Sequence, residues 1–350
     1  MAGRFPAAVA SLLIAVSLAA CARGASVPSG EIAPTESSRE LTVDDISPTA
    51  VNAAPSTVML KSAAGPVVAR IQILLDRAHF SPGVIDGHAN RNTELAVRWF
   101  QSSRNLPATS VVDSATYNAL LAVAGTGPLV TAFTVDEEAL KGPFVTMPKN
   151  VYEQAKMKCL CFASVSEKLA ERFHTSLEMM RKLNPGVGFA GLKPGDRIWV
   201  PAVETATSAA RQNISKILVS KTGSYVHAVA RDGRVLYHFP STLGSKYDPS
   251  PNGNYRVTAI AHDPVFRYDP TLFADVPDSK PTAKLPPGPN SPVGRVWIAL
   301  SKAHVGIHGT PTPETIGSAS SHGCVRLTNW DALKLARSAS SGTPVHFTTD

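Results

Sequence analysis

Charge is scarce in this chain: Asp, Glu, Lys and Arg make up only 17 % of its 350 residues, with a net charge of +7. The basic residues are scattered, and no run of Lys and Arg with interleaved aromatics occurs, which argues against a nucleic-acid partner. A mild positive surface suits an anionic polymer. No internal repeat or heptad pattern is present, so solenoids and coiled coils are excluded. The apolar run at residues 6–20 is fifteen residues long, and a bilayer-spanning helix needs about twenty. Cysteine is limited to four residues. What the chain does have is 43 % hydrophobic residues, enough for real cores, and 28 prolines and 24 glycines, which mark many turns and loops. Its length suits two or three domains.

Residues 1–20 read as an export segment, with Arg4 as the positive start and residues 6–20 as the apolar stretch. The segment ends in Leu18-Ala19-Ala20-Cys21, which resembles a bacterial lipobox. That resemblance implies lipidation of Cys21 and a membrane-anchored lipoprotein on the periplasmic side. Cys159, Cys161 and Cys324 are then left, an odd number, so at least one thiol stays unpaired within the chain. Cys159 and Cys161 are two residues apart, where disulfide geometry is hard to reach, and they read as buried apolar filler. From Cys21 to residue 62 the sequence is rich in Ser, Pro, Ala, Thr and Glu, and is expected to be a disordered tether. Its r.m.s. span would be roughly 35 Å.

Residues 63–123 carry helical periodicity, with Val67, Ile71, Leu74, Leu75 and Ala78 on one stripe. Asn92 is expected to cap a second helix bearing Ala96, Trp99 and Phe100, and Asp113 a third bearing Tyr117, Leu120 and Leu121. Gln72, Leu75, Gly83-Val84-Ile85-Asp86-Gly87, Thr93, Phe100-Gln101 and Leu106-Pro107 resemble the peptidoglycan-binding domain 1 family. The resemblance implies a small three-helix domain that binds glycan or stem peptide. In residues 133–203 a helix at 166–173, a second capped by Thr175 or Ser176, and a strand at 197–200 form an α+β pattern. It is similar to the LysM glycan-binding module, although Val165-Ser166-Glu167 replaces the usual Gly-Asp opening.

After a polar linker at residues 205–211, residues 213–349 change to period two, with turn dipeptides at Asp232-Gly233 and Asn252-Gly253. A mainly-β domain with one late helix around Ala332, Leu333 and Leu335 is expected. It holds Ile307-His308-Gly309-Thr310 and Ser321-His322-Gly323-Cys324-Val325-Arg326. A thiolate is the competent nucleophile, and a free thiol near neutral pH is only a few per cent ionised. A histidine within reach can take its proton and form an ion pair, and His308 and His322 are candidates. Gly323 permits a tight turn, and amides at Gly323-Cys324 can face a developing oxyanion. Arg326 can hold a carboxylate.

These two motifs, with Pro286-Pro287-Gly288-Pro289, Ile316-Gly317, Asn329 and Asp331, resemble the L,D-transpeptidase catalytic domain of the YkuD type. The resemblance implies a β-sandwich with a late helix, and Cys324 as nucleophile with His308 as general acid/base. It further implies that the Gly309 carbonyl orients the imidazole, while Ser321, His322 and Gly323 line the oxyanion side. Arg326 stands where some relatives have Asn. The implied reaction is 3-3 cross-linking of peptidoglycan, or attachment of protein to it, through a thioester with loss of D-Ala. That is work in cell-wall biogenesis and cell shape, and it requires neither cofactor nor metal.

Three other readings are open to the sequence. The same thioester could pass to water, as in an L,D-carboxypeptidase or endopeptidase. The chain could be a non-catalytic peptidoglycan-binding lipoprotein. A metal at His304, His308, His322 and Cys324 is disfavoured if residues 297–307 are one strand, which would hold His304 and His308 roughly 13 Å apart. The remaining histidines, including His79, His174, His227 and His238, read as surface or packing residues. The Pro-rich residues 280–292 read as a lid or a rigid loop.

Overall fold

The computed structural model describes residues 41–55, 57–203, 212–273 and 276–349. The export segment, Cys21 and the linker at 205–211 lie outside the described residues. Leu41–Asp350 form one unit built on three hydrophobic cores.

The first core lies among helices Pro66–Arg77, Arg91–Ser103 and Ser114–Ala124, with Ile71, Leu74, Leu75, Phe100 and Leu120 buried inside. Asp113 caps the third helix as expected, through Thr116 N. The second is capped by Asn90, whose side chain accepts from Thr93 N, rather than by Asn92. The module also starts earlier than its composition suggests. Residues 41–62, expected to be tether, include the helix Pro48–Ala53 and the strand Val58–Met59, which pairs with Val111–Val112. Few of these residues are large and apolar, but Ile46, Val51 and Leu60 are placed to drop into the first core. Asn52 adds three hydrogen bonds to the backbone of Leu129 and Val130.

The second core is a strand–helix–helix–strand unit. Strand Val130–Thr134 pairs antiparallel with Arg197–Pro201, and helices Val165–Arg172 and Leu177–Leu183, capped by Ser164 and Ser176, lie between them in sequence. Residues 141–163 leave this unit and run against the third domain. There Cys159 and Cys161 are joined to each other in a disulfide, so they are not a pair of inert buried thiols. Leu160, between them, is fully buried.

The third core is enclosed by one eight-stranded sheet. Its spatial order is Val325–Arg326, Gly306–His308, Val296–Leu300, Gly253–His262, Pro344–Thr348, Lys216–Ser220, Tyr225–Val229 and Val235–Pro240. The two layers expected of a sandwich are halves of this single sheet, which curls until its edges meet. Thr242, just past the last strand, exchanges both backbone hydrogen bonds with Arg326 on the opposite edge, at 3.0 and 2.9 Å. The late helix, Asn329–Ser338, buries Ala332, Leu335 and Ala336 against the sheet. The closing seam is where the motif residues lie.

Candidate active site

His308 ends the strand Gly306–His308, and Cys324 immediately precedes Val325–Arg326, the parallel strand beside it. Ile307 is in register with Val325, and His308 with Arg326. The two motifs, with twelve residues between His308 and Ser321, thus arrive on adjacent strands pointing the same way. The His308 ring is buried, and its Nδ1 lies 2.7 Å from the Gly309 carbonyl oxygen. A carbonyl can only accept, so Nδ1 carries the proton and Nε2 is left as a lone-pair acceptor. Trp297, the cross-strand partner of His308, stacks on the imidazole at 5.3 Å between ring centroids and 21° between planes.

Cys324 is the one free cysteine among the described residues. Its thiol donates towards the His304 carbonyl at 3.6 Å. Ser321 Oγ donates to the Cys324 carbonyl at 2.6 Å. Gly323 takes φ +98°, a conformation that favours glycine. Its carbonyl accepts from Ser250 Oγ at 2.9 Å, and Ser250 Oγ accepts in turn from the Gly244 amide. The His322 ring meets the edge of Phe273 at 4.9 Å. Arg326 is half-buried at the seam.

Burial pushes the Cys324 thiol above its ordinary range, against the opposing pull of the Gly306 amide and the Arg326 charge. Burial also pushes His308 down to about 4; the Gly309 carbonyl opposes this and the Arg326 charge adds to it. Both shifts disfavour charge and so oppose the ion pair expected from sequence.

The expected continuous strand at residues 297–307 is a hairpin. Val296–Leu300 and Gly306–His308 run antiparallel, and His304 sits in the connecting turn at φ +61°. This removes the strand-length reason for separating His304 from His308. No cluster of three or more His, Cys, Asp or Glu able to hold a metal occurs among the described residues.

Each neighbouring module reaches this site. Asn92, from the first, donates to the Ile316 carbonyl at 2.8 Å and so holds the loop that joins the two motifs. Gly317 beside it has φ +83°, and a methyl group there would overlap the Asn92 amide. Asn329, at the start of the late helix, is buried. Its Oδ1 accepts from the Arg295 amide at 3.0 Å and packs on Gly294 and Gly309, where a methyl group would overlap it. Its Nδ2 donates to the Pro289 carbonyl and to Glu171 of the second module. Trp297, Asn92 and Glu171 carry no motif signal in the sequence; only the fold brings them here.

Residues 215–347 match the family model YkuD, described as "L,D-transpeptidase catalytic domain". The catalytic-domain pattern of that family is found in these residues. Residues 64–120 match the model PG_binding_1, "Putative peptidoglycan binding domain". A "Putative L,D-transpeptidase YkuD" of Bacillus licheniformis is 29% identical over 182 residues, covering 52% of this chain and 92% of the relative. Its namesake in Bacillus subtilis is 27% identical over 177 residues, covering 51% and 89%. A crystal structure of an L,D-transpeptidase from Xylanimonas cellulosilytica overlaps 84% of this chain and 98% of that one, at 17% identity and TM-score 0.35. On the two family-model matches, the chain couples an L,D-transpeptidase catalytic domain to an N-terminal helical peptidoglycan-binding domain.

Proposed function

We propose that this YkuD-family chain is a cysteine-dependent transpeptidase that joins peptidoglycan stems by 3-3 cross-links. The observation that carries the reading is the seam itself. It holds a buried imidazole locked through Nδ1 by Gly309, leaving Nε2 as the acceptor, on the strand beside the free thiol of Cys324.

With both groups neutral at rest, ionisation is coupled to attack. Cys324 Sγ bonds to the carbonyl carbon of the third stem residue as His308 Nε2 takes the thiol proton. Charge moves to the carbonyl oxygen, which faces the amides at Gly323-Cys324. A single such donor is worth about 3 kcal/mol of barrier. The C–N bond to the terminal D-Ala then breaks, and imidazolium returns the proton to the leaving amine. An acyl thioester remains on Cys324. The side-chain amine of a neighbouring stem attacks it and loses a proton to His308. The C–S bond breaks, and the proton passes back to sulfur. The thioester conserves the energy of the broken amide, so no external energy source enters the cycle. Arg326, whose charge already acts on both groups, is placed to hold a stem carboxylate.

The lipobox-like Leu18-Ala19-Ala20-Cys21 supports export and lipid anchoring. The LysM-like strand–helix–helix–strand order supports a second glycan contact.

The test is incubation of residues 41–350 with purified disaccharide-tetrapeptide, alongside Cys324→Ala, with products read by mass spectrometry. The start at residue 41 keeps Ile46, Val51 and Leu60 in the first core. Cross-linked dimers lacking one D-Ala, absent with Cys324→Ala, are expected. Tripeptide monomers alone would make the protein a hydrolase, and no Cys324-dependent product would leave a binding protein.

A further inference from the structure

The second module does more than lie beside the catalytic domain. Its helix Val165–Arg172 presents the half-buried Glu171 to Asn329, and Oε2 accepts from Asn329 Nδ2 at 2.8 Å. Asn329 has three further attachments. Nδ2 also donates to the Pro289 carbonyl at 3.1 Å, Oδ1 accepts from the Arg295 amide, and the same oxygen packs on the Cα atoms of Gly294 and Gly309. Gly309 supplies the carbonyl that holds His308 Nδ1. One side chain thus lies between Glu171 and the backbone that orients the imidazole.

The segment around Leu160 grips the same loop from the other side. The Leu160 amide donates to the Pro287 carbonyl at 2.9 Å, and its own carbonyl accepts from the Asn290 amide at 2.9 Å. Asn290 Nδ2 donates to the Cys161 carbonyl and to Glu167, one turn before Glu171. Gly288 is packed so tightly on the Leu160 carbonyl that a side chain there would overlap it. The loop at residues 287–290 is therefore fixed to the second module at several points, and Asn329 receives that fixation through Pro289 and Glu171.

We propose that Glu171 is a positioning residue for the transfer reaction: by anchoring the Asn329 amide, it holds Gly309 and, through it, the His308 imidazole in its reactive orientation. The catalytic centre would then be completed by the second module, which lies outside both family-matched spans, residues 64–120 and 215–347. Burial lifts the Glu171 carboxyl to about 7; the Asn329 hydrogen bond and Arg295 pull it down, and Glu167 and Asp263 push it up. An uncharged acceptor can therefore serve as well, which makes Gln the conservative replacement. The proposal rests on His308 being the general base.

The experiment compares Glu171→Gln, Glu171→Asp and Glu171→Leu in residues 41–350. Gln keeps the acceptor, Asp withdraws it by one methylene, and Leu removes it. In the cross-linking assay, kcat is expected to stay within about twofold for Gln and to fall about tenfold for Asp and Leu, with KM held within about twofold, because a small misplacement of a catalytic group acts on the chemical step. The low-field proton resonance of His308 Nδ1–H, read by NMR, should exchange with water faster in Asp and Leu than in Gln or the parent. This readout follows opening of the His308–Gly309 bond, and denaturant midpoints recorded alongside separate it from a general loss of stability. If Leu does not fold, Asp against Gln decides the matter, since both keep a polar group. Unchanged kcat and exchange in Asp, or a loss in Gln equal to that in Asp, would overturn the proposal. Full activity in His308→Ala or Cys324→Ala would instead overturn the underlying reading, so the two failures are told apart.

Discussion

The indole of Trp297 lies flat against the imidazole of His308, 5.3 Å between centroids, while its far edge covers the Cα of Gly306. The three residues form a layer at the hairpin Val296–Leu300/Gly306–His308. With Nδ1 tied to Gly309, the stacked indole fixes the second degree of freedom of the ring, its tilt. A β-carbon at Gly306 would collide with the indole. Gly306→Ala should therefore lower kcat on the order of a hundredfold, as expected for a catalytic group displaced by about an ångström. A fall of less than about threefold in steady-state turnover would mean that the Trp297 contact does not set the ring's position.

The directions in which burial moves Cys324 and His308 set an expectation for the pH behaviour of the thiol. Burial raises the Cys324 thiol and lowers His308 to about 4. Without substrate, alkylation of Cys324 by iodoacetamide should thus be slow at neutral pH and climb only above about 8.5, the ordinary thiol range. His308→Ala should leave this profile nearly unchanged. A reactive plateau reaching below pH 7, abolished in His308→Ala, would instead reveal a preformed thiolate–imidazolium pair.

A buried acid in the late helix makes stability pH-dependent in an unusual direction. Burial raises Asp331 to about 7 despite nearby Lys334, and Asp76 adds to the rise; Ser81 Oγ donates to its carboxylate at 2.8 Å. In the unfolded chain this group ionises near pH 4. The folded chain therefore keeps the proton longer, and the contribution is fully present below about 4 and lost as pH rises to about 7. Asp331→Asn never titrates and still accepts from Ser81. Its stability relative to the parent should grow between pH 4 and 8 by up to about 4 kcal/mol, the size of a three-unit shift. Denaturant midpoints that differ by the same amount at both pH values would refute this.

Residues 41–62 belong to the first core, which gives a stability expectation. Leu60 is fully buried there, so Leu60→Ala should cost about 2–5 kcal/mol in urea unfolding, the usual range for a buried Leu truncation. A cost below about 0.5 kcal/mol would restore the tether.

The sequence was most legible where chemistry and turn geometry constrain single residues. His308, Gly323 and Cys324 stand out by the chemistry of their residue types, and Gly309 and Ser321 only through the family resemblance; the fold brings the two motifs onto adjacent strands. The helix stripe of Ile71, Leu74 and Leu75 was readable because a 3.6-residue period leaves little choice. Residues 41–62 misled because composition averages over a segment, whereas Ile46, Val51 and Leu60 act singly once the rest of the first core offers a surface. The cap at Asn92 was misplaced by two positions because Asn90 and Asn92 are equally good local caps; the tertiary contact with Ile316 takes Asn92 away. The Cys159–Cys161 bridge is not legible from a spacing of two, and the bonds of Leu160 to residues 287 and 290 tie that segment to a loop distant in sequence. Trp297, Asn92 and Glu171 reach the site through pairings made across the fold, and no local pattern encodes such pairings.

The most direct test of the central claim is intact-protein mass spectrometry of residues 41–350 after a brief exposure to tetrapeptide substrate, quenched in acid, with Cys324→Ala beside it. The expected result is an adduct equal to the substrate less D-Ala, mapped by proteolysis to Cys324, released by hydroxylamine and absent from the variant. An unmodified protein that nonetheless turns substrate over, or an adduct on another residue, would contradict thioester catalysis at Cys324.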